Sequence, residues 1–231
     1  MAKKHDLKIK VDDKNLTKTF GKFVIQPMDR GYGITIGNAL RRVLLTCIPG
    51  AAITNAKFDS VLHEFSSIEG VQEDVSDIIQ NLKGVRFKLD ENDPEKISIK
   101  LKGPCKFTAS DIQKASDEFK VLNKTHYITE INEGTTFNIE LKIGVGKGYM
   151  PSESNELPNA PLGTIAIDSI FNPVTKVKYN ITPVPGAKDP IEILTLEVST
   201  DGSITPQDAV SYSSSIIIDR KSTRLNSSHA L

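Results

Sequence analysis

The chain has 231 residues, and its 29 lysines and arginines balance its 29 aspartates and glutamates. A formal charge of zero argues against a protein that grips nucleic acid over a broad basic surface, although a local basic patch stays open. The length is typical of one or two globular domains. No apolar run approaches the roughly 18 residues of a membrane span, and the lysine-rich N-terminus is unlike a secretion signal.

The cysteines and histidines predict a cytoplasmic protein without a metal or a cofactor. Cys47 and Cys105 are far apart and form no CxxC pair, which is typical of a reducing compartment. The four histidines are scattered and do not have the spacing of metal ligands.

The predicted elements are mostly strands, with three helices between them. Short segments rich in β-branched or aromatic residues predict the strands, and apolar periodicity with capping residues predicts the helices. In chain order they are strand Phe23–Ile25, helix Ile36–Cys47, strand Ala52–Phe58, helix Val75–Leu82, strands Val85–Leu89, Ile97–Leu101, Phe137–Ile143, Thr164–Ser169, Thr175–Ile181 and Ile191–Val198, and a helix from Thr205. Strands outnumber helices without alternating with them, which predicts an α+β fold.

Two breaks in the pattern predict that one domain is inserted into another. The first break is Pro49-Gly50, and the second is Pro151–Pro161, which has three prolines and few apolar residues and is interpreted as a linker. A strand-rich block lies between the two breaks. The outer domain is therefore expected to be discontinuous in sequence.

The last residues break the apolar pattern of the third helix. The string from Asp219 to His229 matches the in-frame translation of a common sequencing adapter over eleven residues. Residues 219–231 are therefore expected to be a non-native tail without regular structure.

The glycines of Gly31–Gly37 have two interpretations. Glycines before a helix can cradle a phosphate, so a free-standing nucleotide-binding enzyme built on this turn is one hypothesis. The spacing is GxGxxxG rather than the dinucleotide pattern GxGxxG, however. The alternative is a tight structural turn in which Gly33 and Gly37 allow close approach of the backbone.

No set of residues predicts a catalytic site. Glu73, Asp74 and Asp77 are acidic, but they fall at the start of a predicted helix, where negative charge favours the helix by itself. His63-Glu64 lacks the second histidine of a zinc-protease motif.

The first predicted helix has more apolar residues than one buried face requires. Ile36, Leu40, Val43, Leu44 and Cys47 form one stripe. Leu45 and Ile48 lie beside that stripe, and a second polypeptide is expected to bury their side chains. Arg41 and Arg42 point about 100° apart and are interpreted either as interface arginines or as ordinary solvated ones.

Several motifs in order carry a resemblance to a known family. The stretch Phe20–Leu45 contains GNALRR at Gly37–Arg42, and it strongly resembles the N-terminal domain of the bacterial DNA-directed RNA polymerase alpha subunit. Further matches are Val61–Phe65, Gly70–Val75, Asn81–Gly84, Gly146–Pro151 and Gly202–Pro206. The resemblance covers about residues 20–218, and the first ~20 residues match poorly.

The resemblance implies a non-catalytic subunit of a nucleotidyltransferase. Two alpha subunits form a homodimer, and the dimer recruits the beta and beta-prime subunits. Residues 1–49 and 164–218 would form the dimerisation domain, and residues 50–163 the insert domain. DNA contact belongs to a C-terminal domain that is absent from this sequence.

The resemblance also implies roles for particular residues. Contact with the beta subunit is expected at Arg42, His63, Glu64, Glu73 and Asp74. The dimer interface is expected at Ile36, Leu40, Arg41, Leu44, Leu45, Ile48, Val210 and Ile217. Gly33 and Gly37 are expected to form a structural turn.

Overall fold

The computed structural model describes residues 8–12, 15–59, 61–89, 95–187 and 189–227, and side chains are described within these ranges except at 89, 95 and 220–227. The remaining residues of the chain, including 228–231 of the expected tail, lie outside the described part. Within it the chain forms an α+β fold, as predicted.

The elements are numbered in chain order. They are β1 Lys8–Val11, β2 Phe20–Asp29, α1 Tyr32–Thr46, β3 Pro49–Phe58, α2 Val75–Leu82, β4 Phe87–Leu89, β5 Glu95–Lys102, β6 Cys105–Thr108, α3 Ala109–Ala115, β7 Phe119–Val121, β8 Tyr127–Ile131, β9 Thr136–Lys147, β10 Tyr149–Met150, β11 Thr164–Ala166, β12 Ser169–Ile170, β13 Val174–Pro183, β14 Ile191–Thr200 and α4 Pro206–Ser227. A short 3-10 helix covers Ser152–Asn155.

The chain folds as two compact units, one of them discontinuous in sequence. The first unit is residues 1–48 with 172–231, and the second is residues 49–171. The second boundary lies at 171/172 rather than at 163/164, because β11 pairs with β3 and β12 pairs with β10 inside the second unit. The sequence had placed residues 164–171 in the outer unit, but in the structure they belong to the second unit.

The first unit is built on an antiparallel sheet that α1 covers. Among the described residues the strand order is β1-β2-β14-β13. Alternate residues of the strands point to one face, where Phe23, Ile25, Leu194 and Leu196 are buried. Helix α1 packs on β13 and β14 and also contacts α4.

Helix α1 begins one turn earlier than the periodicity predicts. It starts at Tyr32, and its N-terminal cap is Gly31 with φ of 87°, a left-handed conformation that glycine adopts at little cost. Thr35, the predicted cap, is inside the helix. Gly33 and Gly37 are both helical, so the predicted structural turn is wrong. The close approach expected with it is observed, since a Cβ at Gly37 would lie 2.8 Å from Tyr179 Cδ2.

The second unit has a larger antiparallel sheet with its own core. Its strand order among the described residues is β5-β9-β3-β4-β7, and β11 also pairs with β3. Helix α2 has the predicted bounds, and Val75, Ile78, Ile79 and Leu82 are buried on one face of it. These side chains pack into the same apolar cluster as Phe58 and the other buried residues of the sheet.

The segment Pro151–Pro161 is packed against the sheet rather than extended as a linker. Asn155 is buried, and its side-chain amide donates hydrogen bonds to the Ile167 carbonyl at 2.6 Å and to Ser169 Oγ at 3.1 Å. Its own carbonyl accepts a hydrogen bond of 2.9 Å from Asn55 Nδ2. These bonds satisfy buried polar groups and attach the segment to β3.

Helix α4 begins as predicted but ends later. The Asp208 amide donates to Thr205 Oγ1 at 3.2 Å, which confirms the predicted cap. The backbone stays helical to Ser227, so the expectation of an irregular tail from Asp219 is wrong over these residues. Residues 219–227 contain no proline or glycine, so the helix can continue at little cost once it has formed. No helix within the described residues has the length and apolar character of a membrane span.

Candidate functional site

The inner face of α1 is packed inside its own unit. Gly33, Gly37, Leu40 and Leu44 are buried along this face, and Ile48 follows the helix with 1% exposure. Their spacing of three and four residues explains why they share one face.

Four expected dimer contacts are therefore covered within one copy of the chain. Leu40, Leu44, Ile48 and Val210 all belong to the core of the first unit, where the sheet, α1 and α4 cover them. Because a side chain in the core is not available to another molecule, these four do not fit the expected role of direct interface contacts.

A second line of residues on α1 faces outward. Ile34, Arg41 and Leu45 are seven and four residues apart, so they lie within roughly 40° of one another around the helix. Ile34 is 57% exposed, Arg41 is exposed and Leu45 is half-buried. We call these three residues the outer stripe. The sequence interpretation missed Ile34 because it placed this residue in a turn; extending the helical period back by one turn would have found it.

The remaining expected dimer contacts are half-buried. Ile36 of α1 and Ile217 of α4 both pack against the edge of the core while part of each side chain stays accessible. The first unit therefore presents aliphatic surface that its own fold covers only in part.

Arg42 lies outside the outer stripe. It follows Arg41 by one residue, so its side chain points about 100° further around the helix, and it is exposed. The hydroxyl of Thr46 donates to the Arg42 carbonyl at 2.7 Å. This hydrogen bond involves only the backbone of Arg42, so it does not engage the guanidinium group, which is exposed.

The N-terminus of α1 already holds a carboxylate. The Gly31 amide donates to Glu192 Oε1 at 3.1 Å, and the Gly33 amide donates to Glu192 Oε2 at 3.3 Å. These amides are the donors that a phosphate would need at a helix start. The hypothesis of a nucleotide-binding turn at Gly31–Gly37 is therefore contradicted, because an anion of the chain itself occupies the position.

A loop of the second unit exposes both polar and apolar side chains. His63 and Glu64 are exposed, and His63 Nδ1 lies 3.1 Å from Ser66 Oγ. On either side of them, Leu62 is 67% exposed and Phe65 is 83% exposed. Large apolar side chains so exposed and so close in sequence are typical of a contact surface. The sequence could have indicated this surface, since Leu62 and Phe65 flank His63 and Glu64, which were already expected to contact the beta subunit.

A second loop brings another exposed leucine to this region. Leu162 is 85% exposed, and the next residue, Gly163, packs against Val61 and Leu62. A Cβ on Gly163 would lie only 2.6 Å from the Val61 carbonyl oxygen. We call Leu62, Phe65 and Leu162 the apolar loop patch.

Glu73 is half-buried, and its carboxylate is engaged in hydrogen bonds within the second unit. Tyr127 Oη and Thr129 Oγ1 each donate to its carboxylate at 2.6 Å, and the Glu130 amide donates at 3.1 Å. The neighbouring amide of Gln72 donates to the Glu130 carbonyl at 3.0 Å. The segment before α2 is thus fastened to β8, which gives Glu73 a positioning role, and its expected contact with the beta subunit stays a prediction.

The hydrogen bonds of Glu73 set its charge state. Burial by itself raises the pKa of Glu73, but the bonds from Thr129, Tyr127 and the Glu130 amide outweigh it and lower the pKa below the ordinary 4.5. Burial and the neighbouring Glu73 carboxylate raise the pKa of Tyr127, so its hydroxyl stays a donor.

The charge of Glu73 is expected to stabilise the chain in a pH-dependent way. A lowered folded-state pKa contributes stability that is fully present above the ordinary pKa of 4.5 and is lost as the pH falls through the folded-state value. Glu73→Gln should lower the free energy of unfolding by about 1–2 kcal/mol at pH 7. Urea unfolding should show this deficit shrinking below pH 4.5. The exposed Glu64→Gln is the control; an equal, pH-independent loss in both variants would contradict the role.

Asp74 is the N-terminal cap residue of α2. Its side chain makes no capping hydrogen bond, and its carbonyl accepts the Ile78 amide at 3.0 Å. The exposed carboxylate stands at the positive end of the helix, as expected from the sequence.

Comparison with known proteins gives the family. Residues 53–172 match the family described as the RNA polymerase Rpb3/RpoA insert domain, which is nearly the whole of the second unit. The chain belongs to this family.

Curated relatives extend the similarity to both units. The chain is 47% identical to the DNA-directed RNA polymerase subunit alpha of Chloroherpeton thalassium over 92% of its own length and 65% of the relative. It is 49% identical to that of Chlorobaculum tepidum over the same shares, and 49% identical to that of Salinibacter ruber over 87% of the chain and 62% of the relative. The chain therefore spans less than two thirds of these relatives. The resemblance drawn from GNALRR and the later motifs is confirmed.

Proposed function

We propose that the chain is the assembly scaffold of a DNA-directed RNA polymerase, in which two copies pair and then recruit the beta and beta-prime subunits. The first unit would be the dimerisation domain, and the second the insert domain. The observation that carries the proposal is the partly uncovered aliphatic surface of α1, together with the 47–49% identity to proteins named as alpha subunits. We propose that the protein is located in the cytoplasm.

The outer stripe supports a homodimer. Ile34 and Leu45 expose aliphatic surface three turns apart on one line of α1, and Arg41 stands between them. In a two-fold symmetric dimer each such contact occurs twice, so a short stripe can contribute substantial binding energy. Ile36 and Ile217 would extend the contact, because both are partly accessible.

Arg42 supports a separate contact with the beta subunit. Its guanidinium is exposed, and Arg42 lies about 60° around the helix from Leu45, at the border of the outer stripe. Arginine offers a planar, permanently charged group that binds carboxylates and carbonyls at protein interfaces. His63, Glu64 and Asp74 are exposed on the second unit, and the apolar loop patch would supply burial beside the first two.

Arg42→Ala is expected to impair assembly without impairing folding. An interface arginine commonly contributes about 2 kcal/mol or more, which is roughly a thirtyfold loss of affinity for the beta subunit. The far-ultraviolet circular dichroism and the thermal midpoint should stay within error of the unmodified chain, since the side chain is exposed. Co-purification with the beta subunit measures the effect.

The control for this experiment is Arg30→Ala, which removes another exposed arginine close to the start of α1. It should retain the beta subunit at the unmodified level. Undiminished capture by Arg42→Ala, or equal losses in both variants, would contradict the assignment of Arg42.

A further inference from the structure

The outer face of the sheet in the second unit carries a groove lined by lysines. Strands β3, β5 and β9 form its floor, and Leu157 and Pro161 form a wall on one side. Lys57, Lys96 and Lys142 line it, and we call it the lysine groove. Lys57 and Lys142 are half-buried, whereas Lys96 is exposed.

The strand register places these lysines in two neighbouring rows. One row contains Asn55, Lys142 and Lys96, because Asn55 pairs with Lys142 and Lys142 pairs with Lys96. The next row contains Lys57, Glu140 and Ser98. Directly paired residues share a face of the sheet, so both rows line the same groove, about 7 Å apart along the strands.

The charge within the groove is unbalanced. Three lysines face one carboxylate, that of Glu140, and the pair Lys96 and Lys142 sets two like charges directly opposite each other. Such a pair destabilises a sheet. Among residues whose side chains the structure describes, none of the ion pairs includes a lysine of the groove. An anion bound in the groove would relieve this repulsion.

A second pair of lysines in the same sheet shows how the lysine groove differs from a pair of like charges alone. Lys88 on β4 and Lys120 on β7 also pair directly, and both are exposed. They do not line the lysine groove, and Leu157 and Pro161 are not beside them. The features that distinguish the lysine groove from this pair are therefore the walls and the third lysine.

We propose that the lysine groove binds an extended acidic segment of a partner protein. In an extended chain, carboxylates at positions i and i+2 are about 7 Å apart on one face, which matches the spacing of the two lysine rows. Leu157 and Pro161 would contact an aliphatic side chain between or beside the carboxylates. The groove adjoins the apolar loop patch, because Pro161 directly precedes Leu162, but the proposal can be tested without the dimer or the beta subunit.

A nucleic acid fits the groove less well than an acidic peptide. Glu140 lies among the lysines, where it would repel a continuous phosphate backbone, whereas two separated carboxylates can straddle it. The formal charge of the whole chain is also zero, which argues against a protein that binds nucleic acid over a broad basic surface.

The test is the binding of a defined peptide to the full chain. The probe is a fluorescein-labelled, amidated peptide with the sequence Glu-Val-Glu-Val-Glu, and the comparison peptide carries glutamine in place of glutamate. Fluorescence anisotropy should show binding of the first peptide only, weakening as salt is added. The variant Lys96→Gln/Lys142→Gln should bind about tenfold more weakly, as expected for two partly screened charge contacts.

The matched control is Lys88→Gln/Lys120→Gln, which removes the same charge from the same sheet outside the groove. It should bind the peptide as the unmodified chain does. Asp90, Glu91 and Asp93, which precede β5 in sequence and lie outside the described residues, are unchanged in all variants and do not bias the comparison. Circular dichroism verifies that both variants fold. Equal weakening in both variants, no binding of the acidic peptide, or preferential groove-dependent binding of an oligothymidylate would each overturn the proposal.

Discussion

Gly37→Val is expected to destabilise the first unit severely. A Cβ at Gly37 would lie 2.8 Å from Tyr179 Cδ2 and 3.1 Å from Leu194 Cδ1, and valine adds two methyl groups to that atom. Both neighbours belong to strands against which α1 packs, so the helix would have to move away from the sheet. Overpacking of this kind costs about 1–3 kcal/mol and sometimes more. We expect a loss of about 3 kcal/mol in the free energy of unfolding, measured with urea, and a smaller soluble fraction.

The control for this prediction is Asn38→Val. Asn38 is the next residue of α1 and is exposed, so the variant introduces the same branched side chain without meeting the sheet. It should change the free energy of unfolding by less than about 0.5 kcal/mol. A Gly37→Val chain as stable as the Asn38→Val chain would show that the helix does not need glycine for its approach to β13 and β14.

Ile34→Glu is expected to weaken pairing of the chain by about 100-fold. The substitution places a charge on the outer stripe, and a two-fold interface would bury that charge twice. Ile34 is 57% exposed in a single copy, so the fold itself should tolerate the change. Sedimentation equilibrium over about 1–100 µM measures the shift in the dissociation constant.

Thr35→Glu provides the matched control for this variant. Thr35 is exposed, lies in the same first turn of α1 and points about 100° away from the outer stripe. Any general effect of negative charge at the helix start is therefore the same in both variants. Equal dissociation constants for the two variants would move the interface away from the outer stripe.

The sequence predicted the α+β class and helix α2 correctly because local signals agree there. Val75, Ile78, Ile79 and Leu82 repeat at helical spacing, and Gly84 follows the end of the helix. The alternating residues of β14 likewise predict a strand with one buried face, although the strand extends two residues further than predicted. In these elements the local sequence indicates both the type of the element and approximately where it begins and ends.

The start of α1 was mispredicted because tertiary packing overrides the usual meaning of glycine. Gly31 and Gly33 have low helix propensity, so the helix was expected to begin after them, at Ile36. Gly33 and Gly37 are both helical, and their lack of a side chain allows the close approach of α1 to Tyr179, Ile181 and Leu194 on the sheet. That approach involves residues more than 140 positions away, which no local pattern reports.

The sequence predicted the candidate site only in part, because which residues are buried depends on contacts that are distant in sequence. Arg41, Arg42, His63 and Glu64 are exposed, as an interface role requires. Whether an apolar residue of α1 faces the core or the solvent, however, depends on the sheet that covers it. Periodicity alone could not separate Leu44, which is fully buried, from Leu45, which is only half-buried. The clamp on Glu73 depends on β8, more than 50 residues later in the chain.

Native mass spectrometry of the chain co-purified with its beta subunit tests the scaffold proposal most directly. A complex with two copies of the 25.3 kDa chain for each beta subunit is expected, because pairing through the outer stripe and capture through Arg42 use different residues. The Ile34→Glu variant should reduce this complex. A complex with a single copy of the chain, or no complex with the beta subunit at all, would contradict the account.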